Sequence, residues 1–333
     1  MNTVAIIGAG LCGATAAAKL VQAGFEVTVF DKGRSAGGRM SSKRTGSGYL
    51  DMGAQYFTAR SADFQHQVQL WLEAGCAQEW SCSTASLASD GVSASLQASP
   101  DQQTRFIGVP SQQSPVKFLL ADIPLRTGCR IEKLHRVETE WTLTSDNGEQ
   151  YSGFDHIVLT MPPVQTEHLL AQSGLSELFV APTSVLEPCW AVAVQAEGAV
   201  PGHAIFCEHP RLRFISHQES KPGRKSCYVL HFNATFSQDN LEQAAEFWFN
   251  EARDILSNDL GLEGAVEDVV AHRWLYASQN DEWTPSGLVS LPEHNIWIGG
   301  DWSLGGTVEN AYLSGLNLAT AVIGNNSAIA ASE

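Results

Sequence analysis

An α/β fold is predicted by three features of this 333-residue sequence. The first is Val4-Ala-Ile-Ile-Gly8-Ala-Gly10-Leu-Cys-Gly13, answered by Asp31 at the end of Val27-Thr-Val-Phe30. The second lies near the other end, where Ile296-Trp-Ile298-Gly299-Gly300-Asp301 precedes a helical pattern over 308–323. The third is a strand-rich middle between 188 and 233. Both ends of the chain thus supply a nucleotide unit, and the middle supplies a second unit.

The first feature dictates its own local structure. The β-branched runs 3–8 and 26–31 favour strands, and the alanine-rich run 14–23 between them favours a helix closed by Gly24. Gly8 permits a tight turn off the first strand. Gly10 lets backbone approach a pyrophosphate, and Gly13 lets helix and sheet pack closely. The helix N-terminus offers free N–H groups and partial positive charge to phosphates. Asp31 can accept hydrogen bonds from a ribose diol and favours a free 2′-hydroxyl. The loop Lys32–Arg44 is glycine-rich and basic in an acidic chain, so Gly37, Gly38 and Arg39 are candidates to meet a diphosphate.

Further along, 61–80 has the periodicity of an amphipathic helix carrying Phe64, Val68, Trp71 and Leu72 on one face. The Ser-, Gln- and Ala-rich stretch 83–103 predicts an exposed loop or hairpin. Runs 131–134 and 141–144 flank Asp146-Asn-Gly148 and read as meander strands. A strand is expected over 154–160, ended by Met161-Pro162-Pro163. In the middle, strands are expected at 190–195, 204–207, 213–216 and 227–232. A long amphipathic helix is expected over 241–260, then a returning segment over 266–276.

Composition sets limits. Net charge is −16, which argues against nucleic acid or an anionic membrane surface as partner. Seven scattered cysteines, odd in number and without a CxxC, fit reduced thiols and a cytoplasmic location. Only Met1-Asn2-Thr3 precedes the first strand, so no signal peptide is expected; no apolar run spans a bilayer, and no metal-ligand spacing is present.

Several blocks resemble the flavin amine oxidase superfamily, and bacterial renalase-like FAD oxidoreductases in particular. They are GAGLCG with Asp31, SAGGRMSSKR, LDMGAQYFTAR, SKPGR, HRWLYA and GDWSLGGTVENAYLSG. The resemblance spans nearly the whole chain. It implies a Rossmann-like FAD-binding domain of glutathione-reductase/amine-oxidase type, with a mixed α+β substrate domain on a mostly antiparallel sheet. The implied division is 1–60, 129–170 and 290–333 for FAD, and 61–128 and 171–289 for substrate.

The resemblance also assigns residues. Gly8, Gly10, Leu11, Cys12, Gly13, Asp31, Lys32, Gly38, Arg39 and Met40 would hold the ADP half of non-covalent FAD. Ile131 would start the segment beside the adenine, with Thr160 and Gly300 also at the cofactor. Gly53, Ala54, Gln55 and Tyr56 would lie near the isoalloxazine, and Asp301 near the ribityl-phosphate. Val308 and Glu309 would turn backbone N–H groups toward the flavin N1/O2 edge, where reduction places negative charge.

The implied activity is oxidation of 2- or 6-dihydro-NAD(P), with hydride passing to FAD and then to O2. Hydride transfer asks mainly for position and dryness. The expected positioning residues are His231, Asn233, Trp274, Tyr276, Trp283, Trp302 and Tyr312. The basic run Arg211, Arg213, Lys221, Arg224 and Lys225 is either a substrate-phosphate site or a solvated hairpin. Relatives carry a tryptophan and an Arg-Asn pair where this chain has Phe214–Glu219, and small residues where it has Phe232-Asn233. Thr307 and Asn310 replace an arginine and a glycine, so the substrate stays open. One alternative is an amine oxidase or desaturase, with Trp302 and Tyr312 as an aromatic pair. The other is a non-catalytic binding protein, as in the Rab-escort proteins of this fold.

Overall fold

The computed structural model describes every residue except 1, 47, 183, 184, 199, 263–265, 281 and 331–333. Its first sheet has six strands. In spatial order they are Val289–Leu291, Ile296–Ile298, His156–Leu159, Thr3–Ile7, Glu26–Asp31 and Leu125–Thr127. All neighbours pair in parallel except the edge strand Val289–Leu291. Alternate residues of Thr3–Ile7 serve opposite faces. Val4 and Ile6 pack with the helices Leu11–Gln22 and Val308–Ala330. Ala5 and Ile7 pack with Trp141 and Leu143 of a three-stranded sheet, Ile131–Val137, Glu140–Ser145 and Gln150–Phe154. Burial on both faces explains why this strand reads as an unbroken apolar run.

Two glycines let the helices come close. A Cβ on Gly13 would stand 2.0 Å from the Gly8 carbonyl oxygen, and one on Gly315 would stand 2.4 Å from that of Cys12. The second sheet has seven strands in the order Val266–Gln279, Leu186–Ala196, Tyr228–Phe232, Leu212–His217, Ala204–Glu208, Thr84–Ser89 and Ala94–Ala98. It is antiparallel but for one pairing, Ala204–Glu208 with Thr84–Ser89.

Several elements depart from the sequence expectation. The helix expected over 61–80 is Ala62–Glu73, because Gly75 takes φ +68 and turns the chain into strand Ala77–Glu79. Stretch 83–103 is a hairpin within the seven-stranded sheet. The Asp146-Asn-Gly148 turn joins the second and third meander strands; Glu138, at φ +56, turns between the first two.

The helix expected over 241–260 is shorter. A separate helix Ala234–Asp239, capped by Asn233, precedes it, and the helix itself is Ala245–Asp254, closed by a π-turn Ile255–Asp259. That wide last turn is held by tertiary contacts, since His209 bonds Asp259 at 2.8 Å and Arg211 bonds Glu251 and Asp254. Within 61–128, expected with the substrate sheet, helix Ala62–Glu73 buries Phe64 and Trp71 in the core beneath the six-stranded sheet. Strand Leu125–Thr127 joins that sheet's edge.

Candidate active site

A cleft of about 450 Å³ is lined by residues from both sheets. At one end stand Leu11, Cys12, Arg39, Met40, Thr160, Gly300, Asp301 and Val308. At the other stand Gln55, Tyr56, Phe206, Arg213, Phe214, His231 and Trp274, with Gly53 and Ala54 between the two, against the Arg39 carbonyl. These two groups hold most of the residues expected from sequence.

The first end is made of backbone. A Cβ on Gly8 would meet Thr160 Oγ1 at 2.5 Å, whereas one on Gly10 would meet nothing within 4 Å. The start of helix Leu11–Gln22 therefore faces open space, and no side chain caps it. The Asp31 oxygens accept from the Ala9 and Gly33 N–H groups, each at 2.6 Å. Each oxygen keeps a lone pair, so the carboxylate is pre-oriented for further donors. Gly38 packs over Gly10, and the Gly37 N–H donates to the Ala9 carbonyl at 2.9 Å.

Arg39 crosses the cleft to pair with Asp301 and donates to the Ala277 carbonyl at 3.1 Å. At the start of helix Val308–Ala330, Thr307 Oγ1 takes the Asn310 N–H at 3.1 Å and the Thr307 carbonyl takes that of Ala311. Among the described residues, no protein acceptor is bonded to the N–H groups of Val308 and Glu309. Burial pushes the Cys12 thiol up to about 12, so it stays neutral.

The second end is made of side chains. Tyr56, Phe206 and Phe214 form an aromatic wall, with Phe214 centred 6.0 Å from Tyr56 and 5.3 Å from Phe206. Arg105, paired with Asp101, sits over Tyr56 at 5.1 Å and Phe206 at 5.5 Å and pins both rings. The Trp274 indole N–H donates to the Met52 carbonyl at 2.9 Å. His231 Nε2 lies 3.2 Å from the same oxygen and therefore carries the proton. Burial, with Lys221 and Arg213 nearby, lowers His231 to about 4, so the ring is neutral.

Beneath this end lies a polar cluster that sequence reasoning missed. Asp51 is fully buried and paired with Arg224 at 2.9 Å and Lys221 at 3.4 Å. Burial pushes the Asp51 carboxyl up, but Lys221 and Arg224 pull it below its ordinary range. Lys221 also donates to Gln55 Oε1 at 2.8 Å. Nothing local in the sequence marks Asp51, because its partners lie about 170 residues away.

Other expectations need correcting. The basic run is neither one phosphate site nor one solvated hairpin: Lys221 and Arg224 are buried, Arg211 holds Glu251 and Asp254, and Arg213 alone lines the cleft. Asn233 is a helix cap, accepting from the Phe236 N–H at 2.8 Å. Trp302 and Tyr312 do not form an aromatic pair. Trp302 is in the core with Phe179, and Tyr312 is in the other core against Phe64 and Trp71.

Trp283 leaves the cleft to bond the Trp302 carbonyl, and Tyr276 does not line it. Lys32 Nζ donates to Gln165 Oε1 at 3.1 Å, and the Ile131 side chain packs in the core with Trp141; neither contact bears on the roles expected of them beside the nucleotide. The Glu309 carboxylate accepts from the Ser61 and Arg60 N–H groups at 2.6 and 3.1 Å, a contact separate from the backbone N–H named in the expectation. Phe232 lines the cleft but mainly packs on Trp248.

Residues 6–71 match the family described as the NAD(P)-binding Rossmann-like domain. A 4,4′-diapophytoene desaturase of Staphylococcus aureus (strain Newman) is 34% identical over 77 residues, which cover 20% of this chain and 15% of the desaturase. The match thus spans under a sixth of that relative's length. Among solved structures, an Exiguobacterium sp. 255-15 protein described as a protoporphyrinogen oxidase superposes with TM-score 0.73 at 12% identity. That superposition covers 97% of this chain and 98% of the other. A putrescine oxidase bound to putrescine gives TM-score 0.69 at 14% identity, covering 97% and 99%. An oxidoreductase from Methanosarcina mazei gives 0.69 at 13%, covering 95% and 99%. The chain is therefore built on the amine-oxidase-type fold, with a Rossmann-like nucleotide unit at its N-terminal strand and helix.

Proposed function

We propose that this protein is an oxidoreductase that holds FAD non-covalently and takes a hydride from a 2- or 6-dihydronicotinamide dinucleotide, with O2 as final acceptor. The observation that carries the substrate reading is the charge of the cleft. Arg213 lines it with no ion-pair partner among the described residues. The carboxylate among the described lining residues, Asp301, is already paired with Arg39. A cationic amine finds no free carboxylate there, whereas a phosphate finds a fork donor.

The residues present fit an FAD. The open space at Gly10 and the free N–H groups of the first helix suit a diphosphate, and Asp31 suits a ribose. The start of helix Val308–Ala330 suits a ring edge that gains negative charge. Bound there, FAD supplies the two-electron acceptor for the hydride. The chain's own work is to bind, orient and keep dry. The Tyr56–Phe206–Phe214 wall offers faces on which a flat ring can stack. Neutral His231, donating Nε2–H to the Met52 carbonyl, keeps Nδ1 unprotonated as an acceptor. The balance is one dihydronicotinamide, one O2 and one proton, giving one oxidised nicotinamide and one hydrogen peroxide.

The test is anaerobic bleaching of the visible flavin absorbance with 2-, 4- and 6-dihydro-NAD(P) and with putrescine. Bleaching by the 2- or 6-isomer alone is expected. Bleaching by putrescine only, by the 4-isomer equally well, or by nothing overturns the substrate reading. A colourless protein that takes up no FAD overturns the cofactor reading and returns the chain to a binding role.

A further inference from the structure

Lys221 is out of contact with solvent, yet it is one residue removed from the cleft. Its ammonium donates to Gln55 Oε1 at 2.8 Å and lies 3.4 Å from Asp51 and 4.9 Å from the centre of the Trp80 ring. A second donor, Gln218 Nε2, reaches the same Gln55 oxygen at 2.6 Å. With two donors on Oε1, the Gln55 amide has one allowed orientation. Its NH2 group then faces the chain that walls the cleft, donating to the carbonyls of Asp51 and Gly53. Both amide hydrogens are spent on those carbonyls, so none is left for His231 Nε2, 3.4 Å away. That is why His231 Nε2–H donates to the Met52 carbonyl and Nδ1 is left as the unprotonated ring nitrogen.

We propose that Lys221 is a positioning residue: its buried ammonium locks the Gln55 amide, and the amide holds the Asp51–Gly53 turn and the His231 tautomer at the cleft. A flipped Gln55 would set its NH2 against the ammonium, donor to donor. Asp51 is shared between Lys221 and Arg224, so two cations lie on one carboxylate. Asp51 thus anchors the ammonium, while Gln55 carries its effect to the cleft. The inference rests on the proposed function only in giving the turn a substrate to meet; the lock itself needs none.

Side-chain amide hydrogen exchange of Gln55 in the purified full chain tests it, with the resonance assigned by its loss in Gln55→Leu. In Lys221→Met the Gln55 NH2 exchange is expected to rise about tenfold or more, the loss of one charge-assisted bond. In Gln218→Leu it is expected to stay within about threefold of the starting protein, because the charged donor remains. Unchanged exchange in folded Lys221→Met overturns the proposal. So does a rise in Gln218→Leu of the same tenfold size, an outcome readable even if Lys221→Met fails to fold. A protein that binds no flavin would refute the function above and leave this comparison standing.

Discussion

The two ends of the cleft are built by different means. The nucleotide end is mostly main chain: Gly8, Gly10, Gly13, the Ala9 and Gly33 amides on Asp31, and two helix starts. The other end is mostly side chain, brought from one loop and four strands: Tyr56, Phe206, Arg213, Phe214, His231 and Trp274. Main-chain recognition tolerates few substitutions, because glycine spacing leaves no slack. Side-chain recognition can be re-chosen residue by residue on an unchanged sheet. One fold can therefore keep its nucleotide site while its substrate changes.

The contrast is sharpest within the glycine motif. Gly13→Ala forces a Cβ to 2.0 Å from the Gly8 carbonyl and is expected to cost about 3 kcal/mol or more of stability, by urea denaturation. Gly10→Ala faces open space at φ −77 and is expected to cost less than about 1 kcal/mol while abolishing flavin retention. Equal losses of stability in the two variants would break the division between packing and cofactor glycines.

At the other end, Arg213→Gln is expected to raise KM for the anionic dinucleotide about tenfold, with the flavin retained. Loss of the yellow colour in that variant would erase the distinction between the ends. The smallest effect is in pH. The folded protein holds His231 near 4, against about 6.5 for a free imidazole, so the unfolded chain takes up the proton first. His272 behaves alike, lowered to about 4 by burial and by Lys43. Their contribution to stability is whole above pH 6.5 and declines as pH falls toward 4. Denaturation midpoints measured across that window, with His231→Gln as reference, should show a shallower decline in the variant.

Legibility followed the same divide. The strand, turn, helix and acid of residues 3–31 were readable because each step depends on neighbours within a turn or two. Leu11, Met40, Gly53, Gln55, Thr160, Asp301 and Val308, all within the sequence motifs or at strand ends, line the cleft. Trp302 and Tyr312 do not, because an aromatic ring near a motif is drawn into whichever core lies closest. Asn233 sits beside a cleft residue in sequence, yet its side chain was claimed by a helix end. Phe206 gave no signal, since a phenylalanine on a strand reads the same whether it lines a core or a cleft.

Local periodicity and backbone freedom are enough to set the α/β class, the glycine turn, Asp31 and the strand-rich middle. Which cations are buried depends instead on contacts made across the fold. Lys221 and Arg224 differ from Arg213 not in chemistry but in what faces them: Asp51, from a strand about 170 residues earlier, accepts the first two. A charge can leave water only where an opposite charge and enough hydrogen bonds meet it, and that meeting is made by the fold.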